Sequence, residues 1–141
     1  MEKKVDENCI FCKIIASEIP SKTVYEDEDF KAILDISPAS KSHVIILPKY
    51  HAKNIFELPD EIAGKIMIIA KKIATTLNNV FDCDGINILQ NNGEMAGQTV
   101  FHLHVHVIPR YADDDTISMT WKQRTDYDLD EIYNRIVEDL S

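Results

Sequence analysis

Phe101-His102-Leu103-His104-Val105-His106-Val107-Ile108 is the stretch that decides the fold class. Its histidines stand on alternate positions, and a strand sends alternate side chains to the same face. The spacing therefore predicts a half-buried strand: three imidazoles line one open surface while Leu103, Val105 and Val107 are buried on the other. Imidazole is a common transition-metal ligand, so a His-x-His pair can grip a metal. Neutral imidazole is also a nucleophile toward phosphorus or acyl carbon. A solvated histidine-rich strand is the plainer alternative, although its uniformly apolar other face argues against it.

Directly upstream, Asn91-Asn92-Gly93-Glu94-Met95-Ala96-Gly97-Gln98-Thr99 holds two of the chain's four glycines. Glycine permits positive φ and close backbone approach, so amide N–H groups in such a loop can converge on phosphate oxygens. A simple turn between strands needs glycine too. Joined to the histidines, the loop puts a nucleophile, amide donors and the side chains of Gln98 and Thr99 in one short segment. Phosphoryl transfer requires that combination of placement and charge stabilisation, and this one can supply it without a metal.

The remaining composition narrows the class. With 141 residues, 45% of them hydrophobic, the chain suits one compact domain over 1–141. The charged start Met1 to Asn8 has no apolar run behind it, and the longest aliphatic run, Ile66 to Ala70, is too short for a membrane span, so a soluble cytoplasmic protein is expected. A formal net charge of −9 disfavours a nucleic-acid polymer as partner but not a small anion held by a local loop. Cysteine is an odd three, which makes a disulfide framework improbable. Cys9-x-x-Cys12 is thus either a redox pair or half of a metal site, and no strand precedes it as a thioredoxin-like unit needs.

Along the chain, Ile10 to Ala16 reads as a short helical turn ended at Ile19-Pro20-Ser21. Thr23 to Glu26 and Phe30 to Asp35 form a hairpin pattern around Asp27-Glu28-Asp29, and His43 to Pro48 is a strongly aliphatic strand. Pro59-Asp60-Glu61 opens the main helix, with Ile62, Ile66, Ile69, Ile73 and Leu77 at helical spacing and Lys65, Lys71 and Lys72 on a solvated face. Gly85 to Leu89 is a fourth strand and the histidine strand a fifth, with short turns favouring antiparallel pairing. Asp113-Asp114-Asp115 reads as a solvated loop. Asp128 and Glu131 fit a capping box before a terminal amphipathic helix through Leu129, Ile132, Ile136, Val137 and Leu140.

His102-Leu103-His104-Val105-His106-Val107-Ile108 after Gly97-Gln98-Thr99-Val100 resembles the signature of the histidine triad (HIT) superfamily of nucleotide hydrolases and transferases. Cys9 to Ile15, Ile19-Pro20-Ser21, Leu34 to Pro38, His43 to Pro48 with His51, and the Asn91 loop are similar to that family in the same order. The resemblance covers a core of about 9–111 and leaves 112–141 as a C-terminal extension. It implies an α+β fold with an antiparallel sheet of about five strands, one main helix and a C-terminal helix, paired into a homodimer. It implies that His104 attacks the α-phosphorus of a purine nucleotide adduct and forms a covalent nucleotidyl-histidine, its Nδ1–H held by a backbone carbonyl. His106 is then expected at the phosphate or leaving group, with His102 and His43 completing the network. Asn91, Gly97, Gln98 and Thr99 are expected at the phosphate, Asp35 at the ribose, and Phe11, Ile10 and Ile36 at the base. Thr99 stands where many members carry serine.

Some bacterial members resemble this chain in carrying two amino-terminal cysteines, and that likeness implies a structural zinc on Cys9, Cys12, His51 and His102, with no catalytic metal. Two rivals remain at this point. A zinc-dependent hydrolase would use His102, His104 and His106 as ligands, and a nucleotide-binding or scaffold protein would turn over little.

Overall fold

The computed structural model describes residues 3–141. Five strands form one antiparallel sheet: β1 (Thr23–Glu26), β2 (Phe30–Leu34), β3 (Val44–Pro48), β4 (Gly85–Leu89) and β5 (Val105–Arg110), in the spatial order β1-β2-β3-β5-β4. A short helix α1 (Ile10–Ile15), the long α2 (Asp60–Phe81) and the terminal α3 (Leu129–Leu140) complete the chain.

The two helical layers explain the composition of the central strands. Ile62, Ile66, Ile69, Ile73 and Leu77 of α2 bury against Ala32, Val44, Ile46, Val105 and Val107 on one sheet face. On the other face Phe11 and Ile14 of α1 bury against Ile33, Ile45 and Leu47. β2 and β3 are therefore covered on both sides, so Val44-Ile45-Ile46-Leu47 is a continuous aliphatic run and not an alternating one. Lys31, itself buried, donates from Nζ to the Ile14 carbonyl at 3.0 Å, fixing the C-terminal end of α1 over the sheet. α2 begins after Pro59 with Asp60 and Glu61 in its first turn, and runs to Phe81, where Asp82 takes a left-handed conformation (φ 49°).

The histidine segment departs from its expected form. Its strand begins only at Val105, and Phe101 to His104 are irregular, with the Leu103 N–H bonded to the Ala52 carbonyl at 2.7 Å. Alternation still holds: Leu103, Val105 and Val107 enter the α2 core, while Phe11 meets the His102 and His104 rings edge-on from the α1 side. The histidine face is not open, however. α1 covers it, His102 is 0% exposed, and only His104 and His106 approach the rim. The acidic run near the tail is an exposed loop as expected, and within it Asp115 also grips the Arg110 guanidinium through both oxygens, at 2.8 and 2.5 Å.

The β1–β2 hairpin is built on Asp27, whose Oδ1 accepts the N–H groups of Asp29 and Phe30 at 2.8 Å each and whose Oδ2 accepts the Tyr25 hydroxyl at 2.6 Å. Burial works to raise its carboxyl pKa, but the hydroxyl and the two amides outweigh burial and hold it below the usual carboxylate range. A depressed folded pKa adds stability at neutral pH that is lost as pH falls through it. Asp27→Ala is expected to cost about 1–3 kcal/mol at pH 7. The gap to the parent, measured by urea unfolding across pH, narrows below about pH 4.

Candidate active site and metal-ligand cluster

His104 is held in one tautomer. Its Nδ1–H donates to the carbonyl of His102 at 2.8 Å, an assignment fixed by the acceptor, since a carbonyl cannot donate. Nε2 is left with its lone pair. Burial keeps the His104 pKa below the ordinary imidazole value, opposed by that carbonyl bond and by Asp35, so the ring is neutral at pH 7.

A second chain of hydrogen bonds orients His106. The Ala39 N–H donates to His43 Nδ1 at 3.0 Å, which places the His43 proton on Nε2. That Nε2–H faces His106 Nδ1 at 2.9 Å, so the remaining proton of neutral His106 lies on Nε2. Burial, followed by the neighbouring His104 and His43, lowers the His106 pKa to about 4. Desolvation likewise lowers His43, against the pull of Asp35. The His104 and His106 rings meet edge to face with centroids 4.8 Å apart. The result is a lone pair on one ring beside an N–H donor on the next.

Asp35 divides its carboxylate. Oδ1 accepts the Ser37 N–H at 2.8 Å and shapes the turn, while Oδ2 lies 3.6 Å from His43 Nε2. Phe11 is buried against the histidines, but Ile10 is exposed and Ile36 is 92% exposed at the start of the same turn. Any apolar contact they make with a ligand is thus made at the rim.

In the glycine loop, Gly93 and Gly97 both need glycine, with φ of +93° and +100°. The Asn91 carboxamide and the Thr99 hydroxyl make no hydrogen bond among the described residues, so both remain available to a ligand. Gln98 differs from expectation. It is 2% exposed, its Oε1 accepts the Gly93 N–H at 2.8 Å, and its Nε2 donates to the Lys53 and Val100 carbonyls at 2.6 and 3.0 Å. With both amide hydrogens committed, Gln98 cannot donate to a phosphate in this structure; it ties the loop together from beneath.

His102 belongs to a different constellation. One ligand atom each from Cys9, Cys12, His51 and His102 falls within 4.8 Å of the others. A tetrahedral ion with bonds of about 2.0 Å to nitrogen and about 2.3 Å to sulfur has edges of about 3.4 Å (N···N) and about 3.6 Å (N···S). The observed separations are 3.1 Å for His51 Nδ1 to His102 Nδ1, and 3.4, 3.4 and 3.6 Å for the sulfur–nitrogen pairs. His102 donates its Nε2–H to the Pro48 carbonyl at 2.8 Å, which turns an Nδ1 lone pair toward the thiols, as a metal-binding imidazole requires. His51 Nε2 has the Asp6 carboxylate 3.9 Å away. Burial pushes the Cys12 thiol up to about 11, a cost that a bound cation removes. These four residues fit a structural zinc. Cys83 lies apart and contacts Asn78.

The same geometry opposes a metal on the histidine triad. His102 is committed to the cysteines and Pro48, so the three rings do not converge. Asp35, His43 and His106 do bring donor atoms close, but His43 Nε2 carries the proton that the Ala39 amide assigns to it. The Pro48 carbonyl, the Ala39 amide and Asp6 carried no signal in the sequence, the first two because any residue supplies a backbone group.

Gln98→Ala removes three hydrogen bonds from a buried loop base and is expected to destabilise the fold by about 2–3 kcal/mol. Urea unfolding checks this, and a change under about 0.5 kcal/mol would show the loop to be held otherwise.

Residues 16–113 match the family model described as HIT domain. The chain is 47% identical to Protein hit of Bacillus subtilis over 139 residues, 96% of each chain. It is 42% identical to adenosine 5'-monophosphoramidase HNT1 of Saccharomyces cerevisiae over 125 residues, 88% of this chain and 77% of that one. Among solved structures, a HIT-family member from Bacillus subtilis superposes with a TM-score of 0.89 at 46% identity, covering 96% of this chain and 99% of the other. The chain belongs to the HIT family, and its five-stranded antiparallel sheet is the HIT fold.

Proposed function

We propose that this protein is a nucleotide phosphoramidase or nucleotidyl hydrolase that cleaves at the α-phosphate of a purine nucleotide adduct through a covalent nucleotidyl-histidine on His104. One observation carries the proposal: the Nδ1–H of His104 is engaged by the His102 carbonyl, leaving a neutral Nε2 beside a ring that presents an N–H. The relatives named adenosine 5'-monophosphoramidase support the same class of reaction.

In the first step the Nε2 lone pair forms a bond to the α-phosphorus while the bond from phosphorus to the leaving amine breaks. His106 Nε2–H gives its proton to that amine, and His43 holds His106 in the required tautomer. Water then attacks the phosphorus, returns a proton to His106 and releases the nucleotide with His104 neutral again. Asn91, Thr99 and the amides around Gly97 are the donors for the phosphate oxygens, on a loop that Gln98 shapes. Asp35 takes the ribose, with Phe11, Ile10 and Ile36 along the base.

A structural zinc on Cys9, Cys12, His51 and His102 would lock the start of α1 to the segments after β3 and before β5, adding stability and no reactive group. The protein acts as a homodimer: Met67, Ile68 and Ile88 form an exposed apolar patch where α2 meets the edge strand β4, a face suited to a second copy.

Mass spectrometry of enzyme quenched during turnover of adenosine 5'-phosphoramidate should show an adenylyl adduct on the peptide bearing His104. His104→Asn should lower turnover on the order of a thousandfold. Unchanged release of the nucleotide by that variant would overturn the assignment. Elemental analysis should find zinc bound to the purified chain, and a strong chelator or Cys12→Ser should lower the melting temperature. Chelated protein that is still folded keeps its turnover if the metal is structural, whereas turnover lost on chelation and restored by metal would favour a catalytic ion.

A further inference from the structure

The proton on His43 is set by a loop that burial does not hold. Residues 36–42 lie in the connection from β2 to β3, none of them is buried, and the apolar Ile36, Pro38 and Ala39 are all exposed. Yet the Ala39 N–H of this loop is the donor to His43 Nδ1, at 3.0 Å, that leaves the imidazole proton on Nε2. An exposed loop without apolar anchors samples many conformations unless polar contacts tie it down. Asp35 does not replace the amide, because its Oδ2 lies 3.6 Å from His43 Nε2, beyond hydrogen-bond distance.

Hydroxyl groups supply the ties, and both run to the chain of β5, which carries His106. β3 ends its pairing with β5 at Val44, opposite Val107. Past that point the Ser40 hydroxyl donates to the Pro109 carbonyl of β5 at 2.5 Å. Just beyond the end of β5, the Tyr111 hydroxyl stands 3.0 Å from Ser42 Oγ and donates to the Lys41 carbonyl at 3.3 Å. Ser42 has a φ of +68°, a left-handed conformation that a residue with a Cβ enters at a cost. Tyr111 thus grips the loop at the strained turn through which the chain enters His43.

The ties act on the reaction through tautomers. With the Ala39 amide displaced, nothing keeps the His43 proton off Nδ1. His43 Nε2 then turns a lone pair toward His106 Nδ1, 2.9 Å away, and the pair is bonded again only when His106 carries its own proton on Nδ1. That leaves His106 Nε2 without a hydrogen, so a departing amine meets a lone pair where it needs a proton. His104 is independent of this change, since the His102 carbonyl holds its Nδ1–H.

We propose that Ser40 and Tyr111 are positioning residues: by tying the β2–β3 loop to β5 they keep the Ala39 amide on His43 Nδ1, and so keep the protons of His43 and His106 on Nε2. The consequence for turnover rests on the proton-donor role of His106 proposed above, whereas the placement of the protons does not. The test labels the full chain with nitrogen-15 at histidine and compares it with Ser40→Ala, Tyr111→Phe and the double variant by two-bond proton–nitrogen correlation spectra, which separate the two neutral tautomers of each ring. The parent is expected to show Nε2–H at His43 and His106 and Nδ1–H at His104. The double variant should gain the Nδ1–H form at His43 and His106 with His104 unchanged, and Ser40→Thr, which keeps the hydroxyl, should retain the parent pattern. For adenosine 5'-phosphoramidate, kcat of the double variant should fall roughly tenfold with KM nearly constant, a part of what a general acid contributes. Release of nitrophenol from the nitrophenyl ester of the same nucleotide, which needs no proton donor, should change less than about twofold. Each single variant removes one tie and serves where the double variant does not fold. Folded variants that keep the parent tautomers at both rings, or whose change extends to His104, would overturn the proposal. A tautomer shift at His43 and His106 with phosphoramidate turnover unchanged upholds the ties and overturns the role of His106 instead.

Discussion

His102 connects two kinds of chemistry through one residue. Its ring lies between Phe11, the two cysteines and the Pro48 carbonyl, so its backbone has little freedom. Its carbonyl is the acceptor that fixes the tautomer of His104. The Cys-His cluster and the tautomer of His104 are therefore coupled at a single peptide unit. A strand alone would have set the spacing of the imidazoles; the buried His102 ring sets the direction in which the carbonyl points.

The remaining polar groups follow the same economy. His43 and His106 are dry enough to stay neutral, yet each ring nitrogen that faces protein has a partner, and no buried side-chain nitrogen or oxygen is left without one among the described residues. The glycine loop is the exception: Gly93 and Gly97 turn it, Gln98 fills its base, and the Asn91 and Thr99 side chains make no hydrogen bond among the described residues.

Much of this was legible in the sequence. The alternation of Leu103, Val105 and Val107 with the histidines fixed which side chains enter the α2 core, and the aliphatic run from Val44 to Leu47 marked a strand, whose cover on both faces appears only in the fold. Asp128 announced the start of α3 and accepts the Glu131 N–H as a capping residue does. The late start of β5 was not legible, because the pull of the cysteine cluster on His102 acts across more than ninety residues of chain. Nor was the role of Gln98, since a carboxamide reads the same whether it meets a phosphate or the loop backbone. The ion pair of the exposed Asp115 with Arg110 was not legible either, because both are ordinary charged residues.

Phe11 lies in sequence between Cys9 and Cys12 and in space against His104, with ring centroids 5.0 Å apart. The Cys-His cluster and one wall of the cleft are therefore anchored by the same turn of chain. Whatever fixes the two cysteines therefore sets how long the fold persists on warming, while the molecules that stay folded keep the same histidine geometry.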